Sequence, residues 1–319
     1  MEATAPENSS LCRKEQAEFI VGENFSGRTC GEFLKSSGVS RRLIARLKRI
    51  EAGISRSGAP IKTTDTIFEG DRIVLKSIDK TLLEPNPRLD VPVVYEDSDV
   101  IVFCKPAGMP VHPSIKHQGD TLGNCFAAMF PGLTFRPVNR LDKDTSGLCA
   151  AAKSAYAANY LGGRISKVYM AAVQGIPVTR DVGIPLIKWQ ETGSGYRIDA
   201  PIGRAGESII RREIREDGQQ AVTNYTIIKS DGKHSLLRIE LETGRTHQIR
   251  VHFSAVGHPL AGDDFYGGSR EYCSAQALHC GEMSFPRPSD GVTVRLFSEI
   301  RQDMASLIPE QDQKYCAQK

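Results

Sequence analysis

Three prolines within one segment separate two stretches of this 319-residue sequence that differ in their hydrophobic pattern. The segment TLLEPNPRLDVP carries Pro85, Pro87 and Pro92. Because a proline ring fixes φ and removes a backbone donor, the segment favours an extended spacer, and we predict a domain boundary there. The predicted parts are a disordered tail (1–15), a small module (16–85), a large domain (86–310) and a C-terminal tail (311–319).

The composition is that of a folded, soluble protein. Hydrophobic residues make up 40% of the chain and charged residues 25%, whereas disordered chains lack the apolar residues that a core needs. No apolar run is long enough to cross a bilayer, and residues 1–20 contain no apolar signal-peptide core. The eight cysteines form no CxxC pair, so reduced thiols are expected rather than disulfides or zinc. We therefore expect no membrane association and a cytoplasmic location.

The sequence RRLIARLKRIEAG predicts a helix in the small module, with Ser40 as its N-cap and Gly53 as its stop signal. The helix face opposite its apolar residues is cationic and free of acids; it carries Arg41, Arg42, Arg46, Lys48 and Arg49. The net charge of +3 is too small to indicate an anionic partner by itself, but this clustering does indicate one. The alternative is an ordinary amphipathic helix with a solvated basic face.

The large domain has the pattern of an α+β fold, with a mixed, mostly antiparallel sheet and flanking helices. VPVVYEDSDVIVFCKP predicts a hairpin, and a second hairpin is predicted where AVTNYTII and HSLLRIELE flank the turn at Asp231-Gly232. RTHQIRVHFSAVG places Ile249, Phe253 and Val256 at helical spacing before a glycine, and therefore predicts a helix with one buried face.

The charged stretch NRLDKDTSGL is the strongest candidate for chemistry. Asp142 lies between Arg140 and Lys143, and cationic neighbours keep a carboxylate ionised, as an attacking carboxylate must be. A surface salt bridge before a strand is the alternative, and the residues of this stretch alone do not decide between the two.

Four histidines in the last third of the chain raise the possibility of a metal site; they are His247, His252, His258 and His279, with Asp263 and Asp264 nearby. Zinc-binding histidines on one helix face are four residues apart, whereas His247 and His252 are five apart. We therefore predict structural or hydrogen-bonding histidines and no metal.

NRLDKDTSGL closely resembles the HRLD-x-x-TSGL signature of the RluA-type pseudouridine synthases. KPAGMPVHPS and KVYMAAVQG are similar to further segments of that family, as are DGQQAVTNY, LETGRTHQIRVH, GHPLAGDDFYGG and QALHC, all in the expected order. The resemblance extends over residues 91–297. One departure is Asn139, which stands where many members have His, and we expect it to be tolerated because the position precedes the reactive group.

The resemblance implies an enzyme that isomerises specific uridines in ribosomal or transfer RNA to pseudouridine, without cofactor or metal. It assigns Asp142 as the nucleophile, Arg245 as its cationic partner and Tyr169 as the hydroxyl beside the uracil ring. The alternative is an RNA-binding protein on the same fold that lacks catalysis, although the presence of all three residues argues against it.

RNA contacts are expected from both parts of the chain. The small module resembles the α-L RNA-binding domain that often precedes this catalytic domain, which makes Arg41, Arg42, Arg46 and Arg49 candidates for phosphate contacts. Arg140 is a candidate in the large domain, and Lys167 should share a strand face with Tyr169. A second group, Arg204, Arg211, Arg212 and Arg215, either adds phosphate contacts or is a solvated loop. We expect a monomer that binds structured RNA.

Overall fold

The computed structural model describes residues 16–76, 82–208 and 210–307. The predicted tails, 1–15 and 311–319, lie outside these ranges.

The strands are β1 (Gln16–Ile20), β2 (Ile54–Arg56), β3 (Ala59–Pro60), β4 (Arg72–Lys76), β5 (Val93–Glu96), β6 (Val100–Lys105), β7 (Arg136–Pro137), β8 (Ser146–Ala152), β9 (Ser166–Gln174), β10 (Lys188–Thr192), β11 (Gly195–Asp199), β12 (Ile202–Arg204), β13 (Arg212–Ile214), β14 (Val222–Ser230), β15 (His234–Leu241), β16 (Leu278–Pro286) and β17 (Thr293–Phe297). The α-helices are α1 (Cys30–Ser36), α2 (Arg41–Leu47), α3 (Leu122–Met129), α4 (Ala155–Leu161), α5 (Gln248–Ala255) and α6 (Gln302–Ala305), and two short 3-10 helices span Glu23–Phe25 and Asp264–Tyr266.

Residues 16–76 form a four-stranded antiparallel sheet in the order β1-β4-β2-β3, with α1 and α2 beside it. Leu34, Leu47, Ile67 and Ile73 lie in its own core. The predicted helix is present with its predicted N-cap, since the Ser40 hydroxyl accepts from the amide of Leu43. It ends earlier than predicted.

A turn replaces the last part of that predicted helix. The chain leaves the helix after Leu47 and adopts a left-handed conformation at Ala52, where φ is 50°. A Cβ at Gly53 would collide with the Leu47 carbonyl oxygen, so only glycine lets the chain pass this close to the end of the helix. The stop signal is therefore correct, but its effect begins several residues before Gly53.

The large sheet contains eleven strands in the order β10-β11-β14-β15-β9-β16-β8-β6-β5, with β17 on β16 and β7 on β8. Within the described residues its pairings are antiparallel except for the one between β16 and β8. The predicted mixed, mostly antiparallel sheet is confirmed, and so are both predicted hairpins, β5–β6 and β14–β15. Among the described residues, no helix has the length and apolar character needed to span a membrane.

The signature TSGL ends in β8, which begins at its serine, Ser146, and is buried along its whole length. Gly147 has a φ of 104° and lies against the backbone of Cys280 in the parallel partner β16. A Cβ at this position would collide with that backbone. The glycine thus permits the close pairing that places the loop before β8 next to the start of β16.

The predicted helix of the RTHQIRVH segment is α5, and its apolar residues Ile249 and Phe253 are buried as expected. The helix begins at Gln248, whose buried side chain fixes the preceding loop. Its Oε1 accepts from Thr243 and from the amide of Arg245, and its Nε2 donates to Val222 of β14. The loop before α5 is therefore held against the sheet.

Candidate active site

A cavity of about 1000 Å³ opens where the predicted motifs converge. It is lined by segments from distant parts of the sequence: 110–112, 137–143, 163–167, Tyr169 and 240–250, with Thr145 and Leu278. The fold thus brings Asp142, Tyr169 and Arg245, together with Arg140 and Lys167, to the wall of one cavity.

Asp142 lies in the loop between β7 and β8, and its side chain is 30% exposed. The loop is fixed by three hydrogen bonds. The amide of Thr145 donates to the Asp142 carbonyl at 3.1 Å, and the Gln276 amide group donates to the Thr145 hydroxyl at 2.6 Å. The third comes from Lys105, whose Nζ donates to the Lys143 carbonyl at 2.9 Å. A carboxylate on a loop held in this way is positioned before substrate arrives.

Lys105 is completely buried and its Nζ also donates to the carbonyls of Pro106 and Met109. Burial lowers the pKa of this lysine to about 8. Three carbonyl acceptors offset the cost of burying an ammonium group, and together they join the KPAGMP loop to the loop of Asp142. Lys105 therefore stabilises the loop that carries Asp142 from the buried side.

Arg250 is the cation that pairs with Asp142. Its Nη1 lies 3.3 Å from Asp142 Oδ2, while its Nε and Nη2 form two hydrogen bonds, 2.7 and 2.8 Å long, to the carboxylate of Asp263. Burial alone would lower the pKa of Arg250, but the hydrogen bonds and the charge of Asp263 outweigh it and raise the pKa. The guanidinium also lies over the ring of Tyr266, 4.8 Å from its centroid. Arg250 is therefore a fixed positive charge beside Asp142.

This pairing corrects the expectation for Arg245. Arg245 is exposed at the rim of the same cavity, and its Nε donates to the carbonyl of Gln220 at 3.0 Å. The physical reason is the start of α5 at Gln248: Arg250 projects from the first turn of the helix, whereas Arg245 precedes the helix in the loop. Both arginines belong to LETGRTHQIRVH, and no local pattern in the sequence distinguishes Arg250 from Arg245 as the partner of Asp142.

His247, predicted to be structural or hydrogen-bonding, also contacts Asp142. Its Nε2 lies 3.8 Å from Asp142 Oδ2 and its Nδ1 lies 2.8 Å from the hydroxyl of Tyr266. Its backbone is left-handed, with φ 59°, which is uncommon for a residue other than glycine and concentrates at functional sites. Burial lowers the pKa of His247, against the effect of the Asp142 charge, so the ring is neutral at neutral pH.

Tyr169 and Lys167 lie on β9 and both line the cavity. Tyr169 is buried between β15 and β16, opposite Ile239 and Cys280. Its pKa is raised well above the usual value, first by burial and then by the nearby Cys280 and Asp142. The phenol therefore keeps its proton at neutral pH.

The side chain of Asn139 forms hydrogen bonds with the backbone of β8. Its Nδ2 donates to the carbonyl of Leu148, and its Oδ1 accepts from the amide of Ala150, both on β8. The buried amide group completes the hydrogen bonding of this strand beside β7, immediately before the Asp142 loop. The neighbouring Arg140 is exposed at the cavity rim, and its charge adds to burial in lowering the pKa of His112.

The remaining candidate arginines lie outside the cavity wall. Those of α2 are exposed. In the second group, Arg215 pairs with Asp217, and the guanidinium of Arg211 lies 5.8 Å from the ring centroid of Phe265. The amide of Arg212 donates to the hydroxyl of Tyr266. Arg211 and Arg212 therefore contact the aromatic residues that pack beside Arg250.

The part of the chain that the structure describes contains no group of three or more His, Cys, Asp or Glu side chains arranged to hold a metal ion. Two of the histidines considered above are buried and hydrogen-bonded instead. His252 bonds to Thr223 and the Ala200 carbonyl, and His279 bonds to Ser146 and Ser298.

The sequence and the fold have counterparts among enzymes that modify RNA. A model of the RNA pseudouridylate synthase family matches residues 99–255. The chain is 35% identical over 294 residues to the uncharacterised RNA pseudouridine synthase YjbO of Bacillus subtilis, covering 88% of this chain and 98% of that protein. It is 34% identical over 276 residues to ribosomal large subunit pseudouridine synthase D of Pseudomonas aeruginosa, covering 79% and 81% respectively.

Among solved structures, human RNA pseudouridylate synthase domain containing 1 shares the fold, with a TM-score of 0.51 at 23% identity over 70% of this chain and 96% of that one. The protein is thus an isomerase that acts on RNA. It belongs to the RluA-type RNA pseudouridine synthases, which convert uridine in RNA to pseudouridine.

Proposed function

We propose that Asp142 is the nucleophile of this synthase and that its substrates are specific uridines of ribosomal RNA. The observation that carries the proposal is the position of the Asp142 carboxylate: it lies in the large cavity, on a fixed loop, 3.3 Å from a guanidinium that Asp263 holds in place. The isomerisation exchanges the N1–C1′ bond of uridine for a C5–C1′ bond, and the atoms of the base are all retained. It therefore needs a nucleophile and proton transfers, but no redox carrier or group donor.

Asp142 acts as the nucleophile, and Arg250 stabilises the charge on its carboxylate. The carboxylate attacks the nucleotide and forms a covalent bond to it, the N1–C1′ bond breaks, and the base turns. C5 then bonds to C1′ and the bond to Asp142 is released, as the C5 proton leaves and N1 gains one. Within the described residues, the ion-pair contacts of Asp142 are both made to Oδ2, which leaves Oδ1 for the substrate. As charge leaves the carboxylate and returns to it, the guanidinium of Arg250 stabilises the charged state without reorganising, because Asp263 already orients it.

Tyr169 and His247 complete the site as neutral groups. The protonated phenol of Tyr169 is suited to pack against the uracil ring and to donate a hydrogen bond to it as charge develops. Neutral His247 neither competes with Arg250 for the carboxylate charge nor adds a proton to it. Protonation of His247 would draw Asp142 into a second ion pair and weaken it as a nucleophile.

The rim of the cavity fits a nucleotide extracted from a folded RNA. An enzyme that acts on a base within a helix must take it out of the stack and hold the flanking backbone. Arg140, Lys167 and Arg245 lie around the opening, where their charges match phosphate groups. The basic face of α2 supplies further phosphate contacts outside the cavity, and we infer that residues 16–76 act as an RNA-binding module.

Ribosomal RNA is the proposed target because several relatives at 32–34% identity are named ribosomal large subunit pseudouridine synthase D. The test is a map of pseudouridine, by base-specific chemical labelling, in ribosomal and transfer RNA from cells that lack the gene. The gene is then restored as wild type or as Asp142→Asn. A ribosomal uridine that is modified with wild type alone supports both parts of the proposal. Modification confined to transfer RNA would overturn the target, and modification by Asp142→Asn would overturn the nucleophile.

A further inference from the structure

The small module is packed against one helix of the large domain, α4. Tyr156 of α4 is buried in the core of the module, with its ring 4.8 Å from that of Phe19. Its hydroxyl donates to the carbonyl of Ser37 at 3.1 Å. The side chain of Asn159, also on α4, accepts from the amide of Ser40 at 3.0 Å. Because Ser40 is the N-cap of α2, these contacts fix the start of the basic helix relative to the large domain.

Arg164 lies where this interface meets the active-site cavity. It follows α4 in the chain and lines the cavity together with Lys167. It also faces the module, because a Cβ placed on Gly38 would lie 3.7 Å from its Nη1. One residue thus borders both the module and the candidate active site.

The guanidinium of Arg164 is held in a fixed orientation but remains exposed. It lies over the ring of Tyr160, 4.5 Å from the centroid, and its Nη1 donates to the Tyr160 carbonyl at 2.7 Å. Among residues 16–76, 82–208 and 210–307, no carboxylate forms an ion pair with it. A planar guanidinium that is already ordered loses little entropy on binding and presents its other donors to solvent, which suits a phosphate.

We propose that the seam between the module and the large domain is a binding site for the RNA backbone next to the target uridine, with Arg164 as its phosphate contact. The seam consists of residues 37–41 on the module and 159–164 on the large domain. Arg41 and Arg42 begin α2 on one side, and Lys167 continues the positive charge into the cavity on the other. The site therefore connects the basic face of α2 to the active site in one positive track. This inference rests on the proposed function for its substrate.

A purely structural role for Arg164 makes a different prediction. Its bond to the Tyr160 carbonyl caps the C-terminal end of α4, and a residue that only caps a helix contributes to stability and not to RNA affinity. A phosphate contact contributes to affinity and to the salt dependence of binding. The two roles are therefore separated by measuring both quantities.

The experiment uses the full chain with Arg164→Ala and Arg164→Lys. Lys233→Ala is the control for lost charge, because Lys233 is exposed in the β14–β15 turn beside the opposite end of β9. Binding of a fluorescein-labelled single-stranded RNA of about 20 nucleotides is measured by anisotropy between about 50 and 200 mM salt. Thermal melting is recorded for each variant.

Arg164→Ala is expected to weaken binding about tenfold, as loss of one charge-assisted phosphate contact should. The salt slope, which is the steepness with which the logarithm of the binding constant falls with the logarithm of the salt concentration, should decrease by about one. Arg164→Lys should keep most of the salt slope, and Lys233→Ala should match wild type. A lower melting temperature of Arg164→Ala with unchanged affinity and salt slope would overturn the inference. If wild type modifies no uridine but Arg164→Ala still loses affinity, the proposed function fails and the seam remains an RNA-binding site.

Discussion

The cavity of the large domain and the basic face of α2 both carry clustered charges, but the two regions hold them differently. In the cavity, the charges of Asp142, Arg250 and Asp263 are partly or wholly buried and form one hydrogen-bonded chain. On α2, the arginines are exposed. Buried, paired charges have one geometry and suit the stabilisation of a transition state, whereas exposed charges adapt to a flexible polyanion. Substitutions in the two regions should therefore change different quantities.

The largest expected difference in isomerisation rate is between variants of Arg250 and variants of Arg245. The two arginines belong to the same motif, but Arg250 is buried and Arg245 is exposed. Arg250→Lys keeps the charge but cannot make the paired hydrogen bonds to Asp263, so the isomerisation rate at saturating RNA should fall about 100- to 1000-fold. Arg245→Lys should change this rate less than about threefold and act mainly on KM. Single-turnover rates of the two variants provide the measurement, with thermal melting as the control for folding. Equal losses would show that Arg245 shares the role assigned here to Arg250.

Lowering the pH should reduce the free energy of unfolding of the large domain and leave that of the small module unchanged. Burial lowers the pKa values of His252 and His279 to about 4 each. The unfolded chain takes up protons at these residues below about pH 6.5, whereas the folded chain does not until about pH 4, so the free energy of unfolding falls as pH falls through this window. Between about pH 7 and pH 5 the two histidines together should remove about 4 kcal/mol.

The chain is well suited to this measurement. Its single tryptophan, Trp189, lies in the large domain, and all seven histidines follow residue 111. Urea unfolding followed by tryptophan fluorescence at the two pH values gives the change directly. In His279→Gln the change should be smaller by about 2 kcal/mol, since the contribution of this residue is gone. A free energy of unfolding that does not change with pH would show that these histidines are not held neutral.

The arginines of α2, with Arg49 in the turn that follows it, should affect binding and leave the chemical step intact. Replacing Arg42, Arg46 and Arg49 by Ala should weaken RNA binding about thirtyfold and reduce the salt slope by about two, because each lost phosphate contact removes about 0.7 to 0.9. Lys35→Ala with Lys62→Ala is the control for loss of charge elsewhere in the module, since both are exposed basic residues outside α2; it is compared with the double variant Arg42→Ala with Arg46→Ala, which also removes two positive charges. A fall in the rate at saturating RNA, with no change in the salt slope, would place this face in catalysis and not in binding.

The sequence predicts those parts of the molecule that local patterns determine. The N-cap at Ser40 and the hairpin turn at Asp231-Gly232 are present because their causes lie within a few residues of each other. The assignment of Asp142, Tyr169 and Lys167 to one cavity depended on motifs that resemble a family, and no local pattern could have joined segments so far apart.

The ion pair to Asp142 could not be predicted from the sequence because it depends on tertiary geometry. Arg245 and Arg250 are both arginines in one motif, and the position where α5 begins decides which of them contacts Asp142. The roles of His247 and Asn139 have the same origin. His247 contacts Asp142 through a left-handed backbone, and Asn139 binds the backbone of β8; neither contact leaves a pattern in the sequence.

The most direct test of the central claim is the single-turnover rate of purified Asp142→Asn on an RNA that wild type modifies. Asp144→Asn is the control, since it makes the same chemical change two residues away in the same loop. Removal of the nucleophile should lower the rate by about 10,000-fold or more while RNA affinity stays within about threefold, and the control should keep at least about a tenth of the wild-type rate. An Asp142→Asn enzyme that still isomerises uridine at a rate near that of the control would contradict the account.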